Sequence, residues 1–442
     1  MANNKKKILN LFYIFITAHL VLWTVVPSIV NQNLPLDTIE ALAWGSNLDW
    51  GFNKHPPLSA FFSEIFFRVF GSQDWAYYLL SQIFVIISFY FVFKLSQDLL
   101  NNLKLSFIAV LLLEGIFFYN FTTPEFNVNI SQLPFWALTV YFTWNIFKKK
   151  QPQVFDLILL GIFAAAGILS KYLFLYLLIS IDLLFVYLIL VAKDRKFQFN
   201  YLISLEVFLL LLIPHLVWLT NNEYVTITYG LARTGLEPSQ IINHIINPIL
   251  FVLKQIGLLI PFFALSFILI KKIKNKVNLK DKKLIFLIFI NLAPIVLMAI
   301  TSLISGSKIR TMWMTPFYLF MGLLIIYLFK NQINLKKLNN FIISLVFLFL
   351  FSPFVYAYVS LSKDDKRTDY PGKEIANKVQ TEWDNNFDDP IEFVIGDEWK
   401  AGNLSYHLKS RPKWEGFLNN NNILNEAKEY ICIDNICIGT YK

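Results

Sequence analysis

Long runs without charge dominate this chain and limit what it can become. Eleven of them, at 8–30, 75–95, 105–120, 131–147, 154–170, 172–191, 199–219, 247–270, 284–304, 312–329 and 338–360, are filled largely with Phe, Leu and Ile. About 20 apolar residues in a helix cross the hydrocarbon of a bilayer. Inside it no water is available to the peptide groups, so each run must bond its own backbone. The fold class expected is mostly α: a polytopic membrane helical bundle of about 11 spans. The third run is short and the fifth and sixth nearly fuse, which leaves counts of ten or twelve open. With 56% hydrophobic and 16% charged residues and a mean hydropathy of +0.52, the composition is that of a multi-span membrane protein.

The net charge of +9 does not signal nucleic-acid binding, because it is unevenly placed. From Lys363 onward there are 11 basic and 15 acidic residues, against 28 basic and 15 acidic before it. The excess lies mostly in short loops, where it reports topology. With the N-terminus in the cytoplasm, 21 basic residues fall inside, among them Lys148–Lys150, Arg195 and the run from Lys271 to Lys283, and only seven outside. An odd number of spans then puts the tail outside. Lys5-Lys6-Lys7 precede a run too long for a cleavable leader, so the first span reads as an uncleaved signal anchor. Two domains are expected: a membrane domain, 1–360, and an outer α/β domain, 361–442. In the latter the pattern predicts a helix over 371–383, a strand over 391–395, a short helix over 400–408 and a hairpin turning at Asp434-Asn435. That turn sets Cys432 opposite Cys437, which predicts a disulfide in an oxidising compartment; two reduced apolar residues are the alternative.

The polar chemistry gathers in five outer segments, 31–74, 120–130, the turn at Ser170-Lys171, 220–246 and 305–311, which are expected to converge on one cavity. The first is more than a loop. Residues 37–48 have helical spacing with Asp37 placed as an N-cap, and Pro56-Pro57 open a second helix with an apolar face of Phe61, Phe62, Ile65, Phe66 and Val69. Both suit the membrane interface.

A helical first outer loop with Asp37 and Glu40, followed by His55-Pro56-Pro57-Leu58, resembles the C-type glycosyltransferases. The similarity is to the bacterial branch near protein O-mannosyltransferases and the lipid A aminoarabinose and hexosamine transferases. Weaker echoes are Asn127-Val128-Asn129, Gly167–Tyr172, Gly306-Ser307-Lys308 with Trp313, and Gly396–Leu404. The resemblance implies inverting transfer of a sugar from a polyprenyl-phosphate carrier such as undecaprenyl phosphate to an acceptor at the outer (periplasmic) face of the bacterial inner membrane. The acceptor expected is a lipid A-like lipid or an envelope glycan, with protein as the in-class alternative. No nucleotide-binding fingerprint is present, and a carrier already charged with sugar needs none.

The residue types fit that chemistry. Inverting transfer needs a base at the acceptor hydroxyl, and Asp37 is the candidate. A departing phosphate needs cations at the membrane boundary, and Lys54, Lys171, Arg233, Lys308 and Arg310 are all expected there. Glu40, His55, Glu125, Asn127, Asn129 and Tyr172 complete the expected donor and acceptor contacts. Each also has a plainer reading: Asp37 as a cap, Glu40 as a helix-dipole partner, His55 as a polar residue before prolines, Lys171 as a snorkelling lysine, and the remaining cations as solvated or headgroup charges. Glu114 and His215 read as hydrogen-bonded packing groups. Asn129 stands where the family commonly has a second acid, so either Glu125 compensates or Asn129 serves as a neutral sugar contact. His55 with Glu40 suggests a divalent cation, but two ligands are too few to assign one. The rival classes are a lipid-linked-sugar flippase, which should show matching halves, and an envelope scaffold, which leaves the concentration of Asp37, Glu40, Lys54 and His55 unexplained.

Overall fold

The structure is a computed structural model that describes residues 2–194, 196–234, 240–271, 278, 280–418 and 422–442. Arg195, and residues 235–239, 272–277 and 279 of the loops discussed above, lie outside the described residues.

Every apolar run becomes helical, but not every one becomes a single rod. Helix α1 (Ala2–Val30) is followed by α2 (Leu36–Gly45) and α3 (Leu58–Phe70), and then by α4 (Asp74–Leu100). The last is the central pillar. It packs on α1, on α5 (Leu103–Leu111) and, past the short α6 (Val128–Ser131), on α7 (Leu133–Lys148). It is apolar all round because it is buried by these helices. Phe93 of α4 stacks on Phe12 of α1 with ring centroids 4.0 Å apart.

The third run does not continue as a helix beyond Leu111. It breaks into 3₁₀ turns at Leu112–Gly115 and Phe117–Tyr119. A Cβ on Gly115 would lie 2.6 Å from the Cα of Phe262, so the chain bends where it meets another backbone. Helices α8 (Val154–Ser170), α9 (Leu175–Val186) and α10 (Leu202–Asn221) form an adjoining layer, followed by the short α11 (Val225–Arg233). Two further runs are broken: α12 (Asn243–Leu258) meets α13 (Ile260–Leu269) at 48°, and beyond α14 (Lys282–Ser305) a 3₁₀ segment, Thr311–Tyr318, meets α15 (Met321–Phe329) at 50°. Helix α16 (Leu338–Ser362) closes the bundle. Among the described residues six helices are long and apolar enough to span, or eight with each bent pair counted as one span. The expected count of eleven is not confirmed by this, since α7 and α8 are shorter, at 16 and 17 residues.

The tail follows the sequence reading closely. Helix α17 (Gly372–Asn386), strand β1 (Phe393–Ile395), helix α18 (Lys400–His407), strand β2 (Lys413–Trp414) and the hairpin β3 (Ala427–Ile433) and β4 (Ile436–Tyr441) build a small sheet in the order β2-β1-β4-β3. Only β1 and β2 run parallel. Asp434 takes φ 53° at the turn, and the facing Cys432 and Cys437 are joined by a disulfide.

This domain is seated on the first loop. In α18, a Cβ on Gly402 would come within 3.1 Å of Ala43 and of Ile39, so the glycine lets the two helices touch. Around that contact Asn403 Oδ1 accepts from Asn33 (2.8 Å), Tyr406 donates to Asp74 (2.7 Å), and Arg411 donates to the Leu42 carbonyl (2.6 Å) and to Glu64 (2.9 Å). Thr38 to Gly45 are consequently all buried. Of the two helices expected at the interface, α3 exposes Ile65 and Val69, whereas α2 is enclosed.

Thiol labelling with and without reductant should find no free cysteine before reduction and two after it. Replacing Cys432 and Cys437 by serine should cost at most about 2 kcal/mol, since the loop that the bond closes is short. Equal thiol counts in the two samples would refute the disulfide.

Candidate functional site

Four of the five outer segments and the tail meet at one end of the bundle, and the fifth joins through the loop beside it. Helix α2 begins after Pro35, which occupies the N-cap position, so Asp37 lies in the first turn and does not cap. The capping expectation fails because proline already fixes the entry geometry. Among the described residues no hydrogen-bond donor reaches the Asp37 carboxylate. Its backbone N–H instead donates to Glu125 Oε1 at 3.1 Å. That bond places the second carboxylate beside the first. Asn127 Oδ1 accepts from the N–H groups of Asn129 (2.9 Å) and Ile130 (3.2 Å) and so caps α6.

Lys171 follows the last residue of α8 and is 7% exposed. Its ammonium donates to Asn129 Oδ1 and stands 5.6 Å from the Trp313 ring centroid. Its partners are thus neutral, which leaves its charge uncompensated at close range. Tyr172, expected as a substrate contact, bonds within the bundle. Its hydroxyl lies 2.7 Å from His215 Nε2, and His215 Nδ1 lies 2.6 Å from the Trp50 carbonyl. A carbonyl only accepts, so Nδ1 carries the proton and Nε2 accepts from Tyr172. The chain Tyr172–His215–Trp50 ties the first loop to the bundle. Glu114 likewise serves packing, buried against His19 Nδ1 at 2.8 Å.

Lys54 donates to Glu40 Oε1 (2.8 Å) and to Glu398 of the tail. His55 packs edge-on to Trp44 and Tyr229. Arg233 closes α11 with its guanidinium 5.7 Å from the Tyr229 centroid, exposed. Lys308 and Arg310 are exposed, and among the described residues neither side chain has a hydrogen-bond or ion-pair partner; the Lys308 backbone meets Thr234 at 3.4 Å. Arg367, just past α16, lies 5.5 Å from the Trp399 centroid and its charge is felt at Asp37. Glu398 and Arg367 were missed from sequence. The only signal was an acid in the Gly396–Leu404 echo, with nothing to link it to residue 54.

Burial drives the ionisation of this cluster. Desolvation pushes Asp37 above the carboxylate range, against the pull of Lys171, Lys54, Arg233 and Arg367. It takes Glu125 up to about 8, with the charge of Asp37 adding to the effect. Glu40 rises to about 7 by desolvation and by the charges of Glu398 and Asp37, despite its bond to Lys54. His55 falls to about 3 by desolvation and by Lys171, Lys54 and Arg233, so its imidazole is neutral. Lys171 falls to about 7 by desolvation, with Asp37 resisting. At Lys54 burial also opposes the charge, but Glu398 and Glu40 outweigh it and hold the group above its ordinary value. Among the described residues no three His, Cys, Asp or Glu side chains converge to hold a metal ion, and Glu40 of the two-ligand set is taken by Lys54.

Residues 54–218, which include Lys54, His55, Glu125, Asn129 and Lys171, match the family model of dolichyl-phosphate-mannose-protein mannosyltransferase. The whole architecture superposes on the crystal structure of ArnT from Cupriavidus metallidurans bound to undecaprenyl phosphate. The TM-score is 0.65, over 92% of this chain and 85% of that one, at 12% identity. Residues 54–218 thus resemble that mannosyltransferase family, and the chain as a whole shares the fold of the ArnT structure. Among curated proteins, none matches its sequence. The C-terminal sheet domain and the first loop are both built into the end of the bundle that carries the acids.

The electrostatics predict different pH responses for any reaction that needs ionised Asp37. Lys171→Gln removes a cation that favours ionised Asp37, so the acid limb of the pH–rate profile should move to higher pH. Glu125→Gln replaces a group that still holds its proton where Asp37 titrates, so the limb should stay in place. An unmoved limb in Lys171→Gln would overturn the reading that Lys171 acts on Asp37.

Proposed function

We propose that this protein is a C-type glycosyltransferase that moves a sugar, with inversion, from a polyprenyl-phosphate carrier to a lipid A-like lipid or envelope glycan. It would work on the periplasmic face of the bacterial inner membrane, with its N-terminus in the cytoplasm and residues 361–442 outside beside the membrane domain, 1–360. The observation that carries this reading is Asp37: a carboxylate that neither caps its helix nor accepts a hydrogen bond from a described residue, set among Lys171, Arg233 and Arg367 at the end of the bundle. The family match and the undecaprenyl phosphate held by ArnT support a polyprenyl-phosphate donor.

In the reaction the Asp37 carboxylate takes the proton of the acceptor hydroxyl. The oxygen's electron pair forms the new bond to the anomeric carbon from the side opposite the phosphate. The old bond from that carbon to the phosphate oxygen breaks, and its electron pair leaves with the polyprenyl phosphate. Lys171 and Arg233 offer positive charge to that anion; Lys308 and Arg310 stand exposed beyond them as headgroup contacts. Low dielectric at the membrane boundary strengthens these attractions. Glu125 holds the α2 backbone at Asp37 and shares in its protonation. Asn129 presents Lys171. His55, a neutral imidazole, can accept a hydrogen bond from a sugar or acceptor hydroxyl.

Mass spectrometry of lipid A and envelope glycans tests this in cells carrying the intact gene, a deletion or Asp37→Asn. A sugar-sized mass should vanish in the deletion. In Asp37→Asn it should fall roughly a hundred- to ten-thousandfold at normal protein level. Retention of the mass in Asp37→Asn would remove Asp37 as the base. Accumulation of carrier-linked sugar on the inner face would favour a flippase instead.

A further inference from the structure

Glu398 belongs to the tail, yet its carboxylate is enclosed by the first loop. Asp397 does the local work of starting α18, its Oδ1 accepting from the N–H groups of Trp399 (3.0 Å) and Lys400 (2.9 Å). The neighbouring Glu398 is 4% exposed and points away from its own domain. Its Oε1 accepts from Trp44 Nε1 (3.3 Å) and Asn53 Nδ2 (3.0 Å), and its Oε2 accepts from Lys54 Nζ. Three donors from residues 44–54 therefore converge on one carboxylate more than 340 positions away. The opposite side of the Lys54 ammonium is held by Glu40 Oε1 at 2.8 Å. Glu40 lies three residues after Asp37 on α2, a spacing that puts both on one helix face.

A lysine head sits on a flexible four-carbon stem and takes a fixed position only when its donors are spoken for. Glu40 alone would leave Lys54 free to swing about one bond. A second carboxylate from another domain removes that freedom.

We propose that Glu398 is a positioning residue of the transfer site: the C-terminal domain supplies the carboxylate that fixes the Lys54 ammonium against Glu40, and through it the cation's place relative to Asp37. The site is then completed in cis by the tail, and docking of the domain is part of forming it. The catalytic meaning of this arrangement rests on the transfer reading above. The contact itself does not.

The test uses the full-length protein in detergent and the acetyl ester of N-hydroxysuccinimide as an amine probe, with labelling of each lysine followed by mass spectrometry. In Glu398→Gln, which keeps an acceptor for Trp44 and Asn53, Lys54 should label roughly tenfold faster than in the wild type, while Lys308 should be unchanged. Glu398→Asp, which keeps the charge but shortens the reach, should give an intermediate rate and serves if the glutamine variant does not accumulate. An unchanged Lys54 rate in either variant overturns the proposal. In cells, the sugar-sized mass should fall in Glu398→Gln and in Lys54→Gln, and the double variant should be no worse than Lys54→Gln alone, because one acts through the other. Losses that multiply would show that Glu398 acts elsewhere and overturn it. Wild-type decoration in Asp37→Asn would count against the transfer reading only, and the labelling result would stand.

Discussion

Hydrocarbon solvates neither a charge nor an unpaired peptide group, and that cost sorts the whole chain. Charged side chains are driven to the ends of the helices. The few that are useful to chemistry are then pressed together where the bundle meets the small sheet domain. The same cost explains the ionisation of the site. Asp37, Glu40 and Glu125 are pushed up, while His55 and Lys171 are pushed down, so each of these groups is moved toward its neutral form by partial removal from water. An anion entering such a site favours the charged form of Lys171 again. The resting site thus carries less charge than its composition suggests, and binding a phosphate would restore some of it.

Two kinds of fastening hold this arrangement. Glycines permit backbone contact where no side chain fits, at Gly115 against Phe262 and at Gly402 against α2. Polar clamps then fix the register. Arg411 bridges Glu64 and the end of α2, His215 joins Tyr172 to the Trp50 carbonyl, and Asn129 receives Lys171. Each clamp joins segments that lie far apart in sequence, and each is largely removed from solvent. Losing one partner would leave the other buried and unsatisfied.

What the sequence disclosed follows the range of the interaction involved. Apolar runs, the Pro56-Pro57 helix start, the strands of the tail and the pairing of Cys432 with Cys437 depend on periodicity and on near neighbours, so they were legible. The break after Leu111 was not, because its cause is the approach of α13 from about 150 residues away. The capping role expected of Asp37 was misjudged, since Pro35 takes the cap. Whether Glu125 compensates for Asn129 was open on paper; in three dimensions Glu125 meets the Asp37 backbone and Asn129 meets Lys171. The bonds of Tyr172 to His215 and of Asn127 to the start of α6 were not legible in the sequence. Glu398 and Arg367 were silent because a contact between the tail and the first loop leaves no local pattern.

The enclosure of α2 also bears on the order in which the molecule is made. Asn33 and Asn403 are separated by 370 residues, and the contact between them lies beside the helix that carries Asp37. At ordinary rates of synthesis, roughly 5–20 residues per second, such a separation means that α2 waits on the order of 20 to 70 seconds for its covering. During that interval its apolar side, Ile39, Leu42 and Ala43, lacks the surface that later buries it. Until then α2, which carries Asp37, lacks the cover that Gly402 and Asn403 bring to it from far along the chain.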